Sequence, residues 1–306
     1  MTSSGYILYD KPAGVTSFAA LRGMRASFGA SKVGHAGTLD SFATGLLLVV
    51  VGSYSRLVPW LVGLDKVYEA EFEFGTATDT LDPSGSVTGT SGIPELSTLM
   101  AVLPAFQGPQ LQLPPDYSAI HIAGHRASDL ARKGISPRLE ARSITIHSLE
   151  LLGFEGAVCN VRIHCSSGTY VRAIARDLAA ACGVVAHVKS LRRIRIGPFS
   201  LHGAAGETVQ DFHGCLREFS PDDAKSIGLK AARIPRNSET AFSHGTPSLL
   251  KELSTEVSAQ GSGAESPEPA SDLAVFTAEN RLLGIVGLRE SAPRYLMVVP
   301  LPGVDR

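Results

Sequence analysis

Two segments of the chain put reactive side chains where the backbone can fix them. In Gly34-His35-Ala36-Gly37-Thr38-Leu39-Asp40, a glycine-rich loop ends on a carboxylate just ahead of an apolar run. Glycine permits positive φ and close backbone approach, and a loop on a rigid scaffold can hold a carboxylate fixed yet open to a ligand. In isolation, Asp40 reads more simply as a turn residue making an Asx cap. In Cys165-Ser-Ser-Gly-Thr-Tyr-Val-Arg172, a strand turns and brings Tyr170 and Arg172 to the start of a helix. A cation in a first helical turn lies at the positive end of the helix dipole, so Arg172 requires a carboxylate or phosphate partner. Arg176, one turn on, has Asp177 or solvent beside it and receives no role.

Positive charge gathers in two further stretches. Lys189-Ser-Leu-Arg-Arg-Ile-Arg195 reads as a solvated face, the usual meaning of a charge run. His121, His125, Arg126, Arg132, Lys133, Arg138 and Arg142 share their stretch with only two acids, Asp129 and Glu140. The whole chain carries a net charge of -1, which speaks against a global polyanion-binding surface. Residues 1–202 hold 18 Lys and Arg against 15 Asp and Glu, while residues 203–306 hold 10 against 14. The local basic stretches are what backbone phosphates need.

Absent patterns narrow the chemistry. There is no GxxxxGK[ST] loop, no GxGxxG after a strand, no GxSxG elbow and no HExxH, so triphosphates, nicotinamide cofactors and zinc are not indicated. Cys159, Cys165, Cys182 and Cys215 form no CxxC pair, and no His/Cys cluster has metal-ligand spacing. Reduced, mostly buried thiols are expected. No signal peptide is expected from the N-terminal residues, and no apolar run nears ~20 residues, so no membrane partner is expected.

The elements that must position these groups follow from periodicity. Tyr6–Tyr9 reads as a short strand, and Phe18–Phe28 as a helix capped by Thr16 or Ser17. Ala43–Gly52 is β-branched and apolar, the mark of a buried strand. Lys66–Gly75 alternates, with Tyr68, Ala70, Phe72 and Phe74 on one face and Glu69, Glu71 and Glu73 on the other. Leu99–Phe106 reads as a short helix, and residues 107–142 as a long basic connection with a helix at Ala127–Lys133. Ser143–Phe154 and Val158–Cys165 read as a hairpin, Val171–Cys182 as an amphipathic helix, and Lys189–Ile196 as a strand. Beyond residue 203, short strands such as Leu273–Phe276 and Leu282–Leu288 flank a Ser/Gly/Glu/Pro-rich insertion at 253–271, expected to be flexible.

Seven segments carry a family resemblance. They are Asp10-Lys-Pro-Ala-Gly-Val-Thr-Ser17; Gly34–Asp40 with Ala43-Thr-Gly-Leu-Leu; Lys66-Val-Tyr68; Gly75-Thr-Ala-Thr-Asp-Thr with Asp82 and Gly85; Leu113-Pro-Pro-Asp-Tyr-Ser-Ala; Ser167-Gly-Thr-Tyr-Val-Arg172; and Ala186-His-Val-Lys-Ser-Leu-Arg-Arg with Gly197-Pro-Phe199. In this order and spacing they resemble the TruB family of pseudouridine synthases, which modify the uridine at position 55 in the T loop of tRNA. Ser41 stands where that family usually has proline, Asp116 where it has an apolar residue, and His121 and Ser167 also depart from its pattern. Ala241-Phe-Ser-His-Gly-Thr and Val275–Val286 loosely resemble a PUA-like RNA-binding module.

The resemblance implies an α+β fold: a mixed, largely antiparallel sheet with flanking helices and a central cleft, and a small C-terminal β module. It divides the chain into a catalytic domain, 1–202, with an RNA-binding insertion at about 107–142, and a module, 203–306. It implies isomerisation of uridine to pseudouridine, for which no cofactor or metal is needed. Asp40 is then the catalytic carboxylate, acting as nucleophile on C1′ or through a glycal. Arg172 is its partner, and a close pair at effective dielectric near 20 is worth roughly 4 kcal/mol at 4 Å. Tyr68 stacks on the target base and assists proton removal. Tyr170 and Leu191 form the base pocket, His35 fills the space left by the flipped nucleotide, and Lys11 joins the substrate contacts. Pattern alone makes Tyr68 and Leu191 core residues and His35 a loop histidine. A cytoplasmic monomer acting on the T-loop stem-loop is expected. A non-catalytic tRNA-binding or folding protein on the same fold, and a guide-RNA-dependent synthase of the dyskerin type, are the alternatives.

Overall fold

The apolar run after the glycine-rich loop becomes strand Thr44–Val51, whose residues Gly45–Val51 are all buried. In the computed structural model, which describes residues 3–29, 31–122, 124–206, 209, 211–250, 253, 272–288 and 293–300, this strand lies inside a nine-stranded sheet. The main path runs Gly5–Lys11, Thr44–Val51, Ala186–Ile196, Lys66–Phe74, Val158–Cys165, Arg142–Glu155 and Gly108–Gln112. Val33–His35 pairs with Thr44–Val51, and Phe199–Ser200 with Ala186–Ile196. Every pairing is antiparallel except the short contact of Arg192 and Arg193 with Thr44 and Gly45. The expected mixed, largely antiparallel sheet is therefore present.

The alternation in Lys66–Phe74 sets the layering. Tyr68, Ala70, Phe72 and Phe74 enter a core with Val161 and Ile163 of the next strand and with Ile174, Ala175 and Leu178 of helix Val171–Ala181. Glu69, Glu71 and Glu73 stay on the half-solvated face. The helix buries its apolar stripe against the sheet and leaves only its end exposed.

Three elements differ from the sequence reading. The segment Ser17–Phe28 is two short helices, Ser17–Ala20 and Arg22–Phe28, meeting at Leu21. Thr16 is the cap, its hydroxyl accepting from the Ala19 N–H at 3.1 Å, because Ser17 is engaged elsewhere. The basic connection contains a strand, Gly108–Gln112, besides the helix Ala127–Arg132. Pro109 is tolerated there because the strand ends the sheet path. Helix Leu96–Val102 starts earlier than expected and runs into a 3-10 turn, Leu103–Phe106.

After residue 203 a second sheet of four strands forms: Lys230–Arg233, Leu273–Phe276, Leu282–Gly287 and Arg294–Val298. It shares one apolar cluster with the main sheet, joining Tyr6, Leu46 and Leu48 to Phe219, Ala274, Phe276 and Ile285. The sequence boundary at 202/203 thus falls within a continuous core. The insertion at 253–271 lies outside the described residues, apart from Leu253.

Candidate active site

Asp40 sits on a loop whose peptide groups are clamped one after another. The buried Ser17 hydroxyl donates to the Leu39 carbonyl and accepts from the Leu39 N–H, both at 2.9 Å. Arg193, 1% exposed, donates from its guanidinium to the carbonyls of Gly37 and Thr38 at 3.2 Å and of Leu46 at 2.8 Å. The Ser41 carbonyl accepts from the Gly14 N–H at 2.8 Å and from Lys11 Nζ at 3.3 Å. Gly45 lets the strands close around the loop. Its φ is +103°, and a Cβ there would overlap the backbone of Arg193.

Arg172 takes an anion, as its position in the first helical turn demanded. Its Nε lies 2.9 Å from Asp40 Oδ2, and its Nη2 donates to Oδ1 at 3.3 Å. Asp82 adds a second carboxylate at 3.4 Å, and the carbonyls of Thr80 and Tyr117 accept at 2.6 and 2.9 Å. The guanidinium is 4% exposed, whereas the Asp40 side chain is 38% exposed. The pair is therefore a buried cation presenting one carboxylate to a cleft. Asp82 is itself held by Thr80 Oγ1 at 2.8 Å and by the Ser84 N–H at 3.0 Å. It lies in a turn where Leu81 takes a positive φ of 61°.

The cleft has a volume of about 280 Å³ and is lined by Thr38–Asp40, Tyr68, Tyr170, Arg172, Leu191 and Arg193, among others. Of the expected site residues, Asp40, Tyr68, Arg172, Tyr170 and Leu191 meet here. Burial pushes the Tyr68 phenol up from its ordinary value, with Arg193 pulling the other way. Burial raises Tyr170 as well. The Gln112 amide brackets Tyr170, accepting from its N–H at 2.8 Å and donating to its carbonyl at 3.1 Å. That side chain stands in for a cap at the start of the Arg172 helix.

Two expected residues lie outside this lining. Lys11 is fully buried, and its ammonium donates to the carbonyls of Pro12, Val15 and Ser41 at 2.7, 2.9 and 3.3 Å. In this structure the ammonium braces the loop beside Asp40. Burial pushes Lys11 down to about 8. His35 ends strand Val33–His35, half-buried, with burial lowering its pKa. Sequence reasoning gave no role to Asp82, Gln112, Arg193 or Lys66. Lys66 lines the cleft, donates to the Val62 carbonyl at 2.6 Å, and is pushed down to about 8 by burial. Arg193 stands two residues from Leu191 on the same strand, so alternation around an accepted pocket residue is the signal that would have found it.

Known proteins share much of this sequence and fold. The domain description "TruB family pseudouridylate synthase (N terminal domain)" matches residues 25–171, and "tRNA pseudouridylate synthase B C-terminal domain" matches 172–226. The tRNA pseudouridine synthase B of Caulobacter sp. (strain K31) is 43% identical over 211 residues, covering 68% of both chains. The chain belongs to the TruB family. The tRNA pseudouridine synthase B of Treponema pallidum (strain Nichols) is 46% identical over 222 residues, with 65% of this chain covered. The match spans 61% of that relative's length. A chain from a Cbf5-Nop10-Gar1 complex shares the fold, with a TM-score of 0.66 at 20% identity over 96% of this chain and 85% of that one. A chain from an H/ACA RNP bound to a substrate RNA containing 2′-deoxyuridine superposes with a TM-score of 0.67 at 20% identity, covering 97% and 85%. For a TruB-family chain, the Asp40–Arg172 pair and the apolar, tyrosine-lined cleft are the features on which a reaction can be built.

Proposed function

We propose that this protein isomerises uridine to pseudouridine in tRNA, at position 55 of the T loop, with Asp40 as the reacting carboxylate. The observation that carries the reading is the Asp40–Arg172 pair, a fixed carboxylate at the mouth of a cleft sized for one flipped base. Its setting suits nucleophilic attack on C1′: the loop peptides are clamped on both sides, so little reorganisation is required on reaction. Attack by the Asp40 carboxylate on C1′ forms a C1′–O bond as the N1–C1′ bond breaks; the freed uracil turns, its C5 displaces Asp40 from C1′, the C5 proton leaves, and N1 takes up a proton. No atom is gained or lost. Tyr68, kept neutral by burial, offers its ring for stacking and its hydroxyl near the departing proton. Tyr170 and Leu191 close the base pocket, and Arg193 holds the loop and faces Tyr68.

Exposed basic side chains on the 107–142 connection, Arg126, Arg132, Lys133 and Arg142, supply the positive charge for RNA phosphates that the net charge of the chain lacks. The purified chain, given a tRNA transcript alone, should produce a carbodiimide-dependent primer-extension stop at the T-loop uridine. A stop that requires added guide RNA or partner proteins, or no stop with tight tRNA binding, overturns the reading.

A further inference from the structure

The half-solvated face of the sheet carries a constellation that the reaction does not use. Asp65, just before strand Lys66–Phe74, and His147 and His164, on two other strands, each offer a ligand atom within 4.8 Å of the others. It is the one such group of His, Cys, Asp and Glu among the described residues. His164 pairs with Val67, so it lies on the face opposite Tyr68 and the cleft. His147 is the extra residue of a bulge between the pairs Ile146–Cys165 and Ser148–His164, which sets its ring 4.6 Å from that of His164. The Asp65 carbonyl accepts from the Gly197 N–H at 2.8 Å, fixing the third member from the neighbouring strand end.

We propose that Asp65, His147 and His164 bind a divalent transition-metal ion of the zinc class. Both Nε2 atoms converge on one oxygen, Asp65 Oδ2, at 3.0 Å for His147 and 3.9 Å for His164. Tetrahedral bonds of about 2.0–2.2 Å set ligand atoms roughly 3.4 Å apart, and the two measured separations bracket that distance. Without an ion only one imidazole is within hydrogen-bond reach of the carboxylate, while the second ring stands 4.6 Å from the first, tilted by 45°. Two imidazoles and one carboxylate select zinc-class ions over calcium or magnesium, which prefer all-oxygen sets. All three side chains are a third or more exposed, so solvent water completes the coordination. The other charges on this face include Arg195, Glu71, Glu73 and the linked Glu69, Arg162 and Glu150, and among the described residues no ion pair joins any of them to Asp65. A bound ion would staple the Arg142–Cys165 hairpin to the start of strand Lys66–Phe74. No spacing in the sequence hints at this, because the ligands lie far apart in the chain and a bulge, invisible to periodicity, brings two of them together.

The test is calorimetric titration of the full chain with ZnCl2, followed by cobalt(II) absorption spectra. We expect one zinc per chain for the wild type and for His202→Ala, a change at an exposed histidine elsewhere. His147→Ala, His164→Ala and Asp65→Asn should each weaken binding by at least about 10-fold, the lower end of what loss of even an outer-shell partner does. Zinc should raise the melting temperature of the wild type but not of His147→Ala. The cobalt form should show ligand-field bands without thiolate charge transfer. Absence of stoichiometric binding, unchanged affinity in all three variants, or a thiolate band pointing to the cysteines would each overturn the site. Pseudouridine formation by His147→Ala should equal the wild type, so this proposal stands or falls separately from the catalytic one.

Discussion

Asp40 and Asp82 share one guanidinium but differ in exposure, and their amides should therefore fail in opposite ways. The Asp82 side chain is 8% exposed, and its Oδ2 lies 3.4 Å from Arg172 Nη1. In Asp82→Asn the amide Oδ1 can keep the bonds from Thr80 and Ser84, but the new NH2 faces a cation. Removing one partner of a buried pair costs about 3–5 kcal/mol when the other is left bare. Arg172 keeps Asp40 and two carbonyls, so the loss is nearer that of one hydrogen bond to a charged group, about 2 kcal/mol. At roughly 2–4 °C per kcal/mol, that is a fall of about 4–8 °C in melting temperature. Asp40 is 38% exposed, and Asp40→Asn should cost about 1 kcal/mol or less while abolishing turnover. Urea titration of both variants beside the wild type, with single-turnover pseudouridine formation on the same preparations, separates the two roles. Should Asp82→Asn stay within about 0.5 kcal/mol of wild type, or Asp40→Asn be the less stable, the division of labour around Arg172 is wrong.

Three further outcomes follow from the geometry. Gly45→Ala should destabilise by about 3 kcal/mol or more, since it combines a positive φ with overlap on the Arg193 backbone, and urea midpoints measure it. Gln112→Ala leaves the Tyr170 N–H without its partner, while the Tyr170 carbonyl keeps the Ala173 and Ile174 N–H groups, and should cost about 1–3 kcal/mol; a loss below about 0.5 kcal/mol would mean that this bracket is idle. Lys66, at about 8 in the fold against 10.5 when unfolded, is bound to fewer protons in the native state across that window. Its contribution therefore rises as pH climbs from 8 to 10.5, by at most about 3 kcal/mol, and Lys66→Met should flatten that slope in wild-type-minus-variant unfolding curves.

What the sequence made legible was whatever repeats with a period. Strand Lys66–Phe74 and helix Val171–Ala181 announce themselves because one face of each is apolar at the right spacing. The need of Arg172 for an anion was equally readable, because a helix dipole acts on position alone. Breaks in register were not. The interruption at Leu21 and the bulges between Val188 and Ser190 and between Arg193 and Arg195 depend on tertiary packing. Strand Gly108–Gln112 hid behind a proline that an edge tolerates. Arg193 was read as part of a solvated run, yet it is buried because carbonyls of Gly37, Thr38 and Leu46 satisfy its guanidinium. Carbonyls are common to every residue, so clamps of this kind leave no trace in a sequence. Lys11 is the same case: its segment was noticed, but its three backbone acceptors were not.

Whether Asp40 is the reacting group comes down to one comparison. Wild type and Asp40→Ala are incubated with the same tRNA, and pseudouridine is read by carbodiimide-adduct primer extension beside a binding measurement. A stop at the T-loop uridine is expected with wild type only, with comparable tRNA affinity for both proteins. Pseudouridine formed by the Asp40→Ala protein at the wild-type position would contradict the assignment.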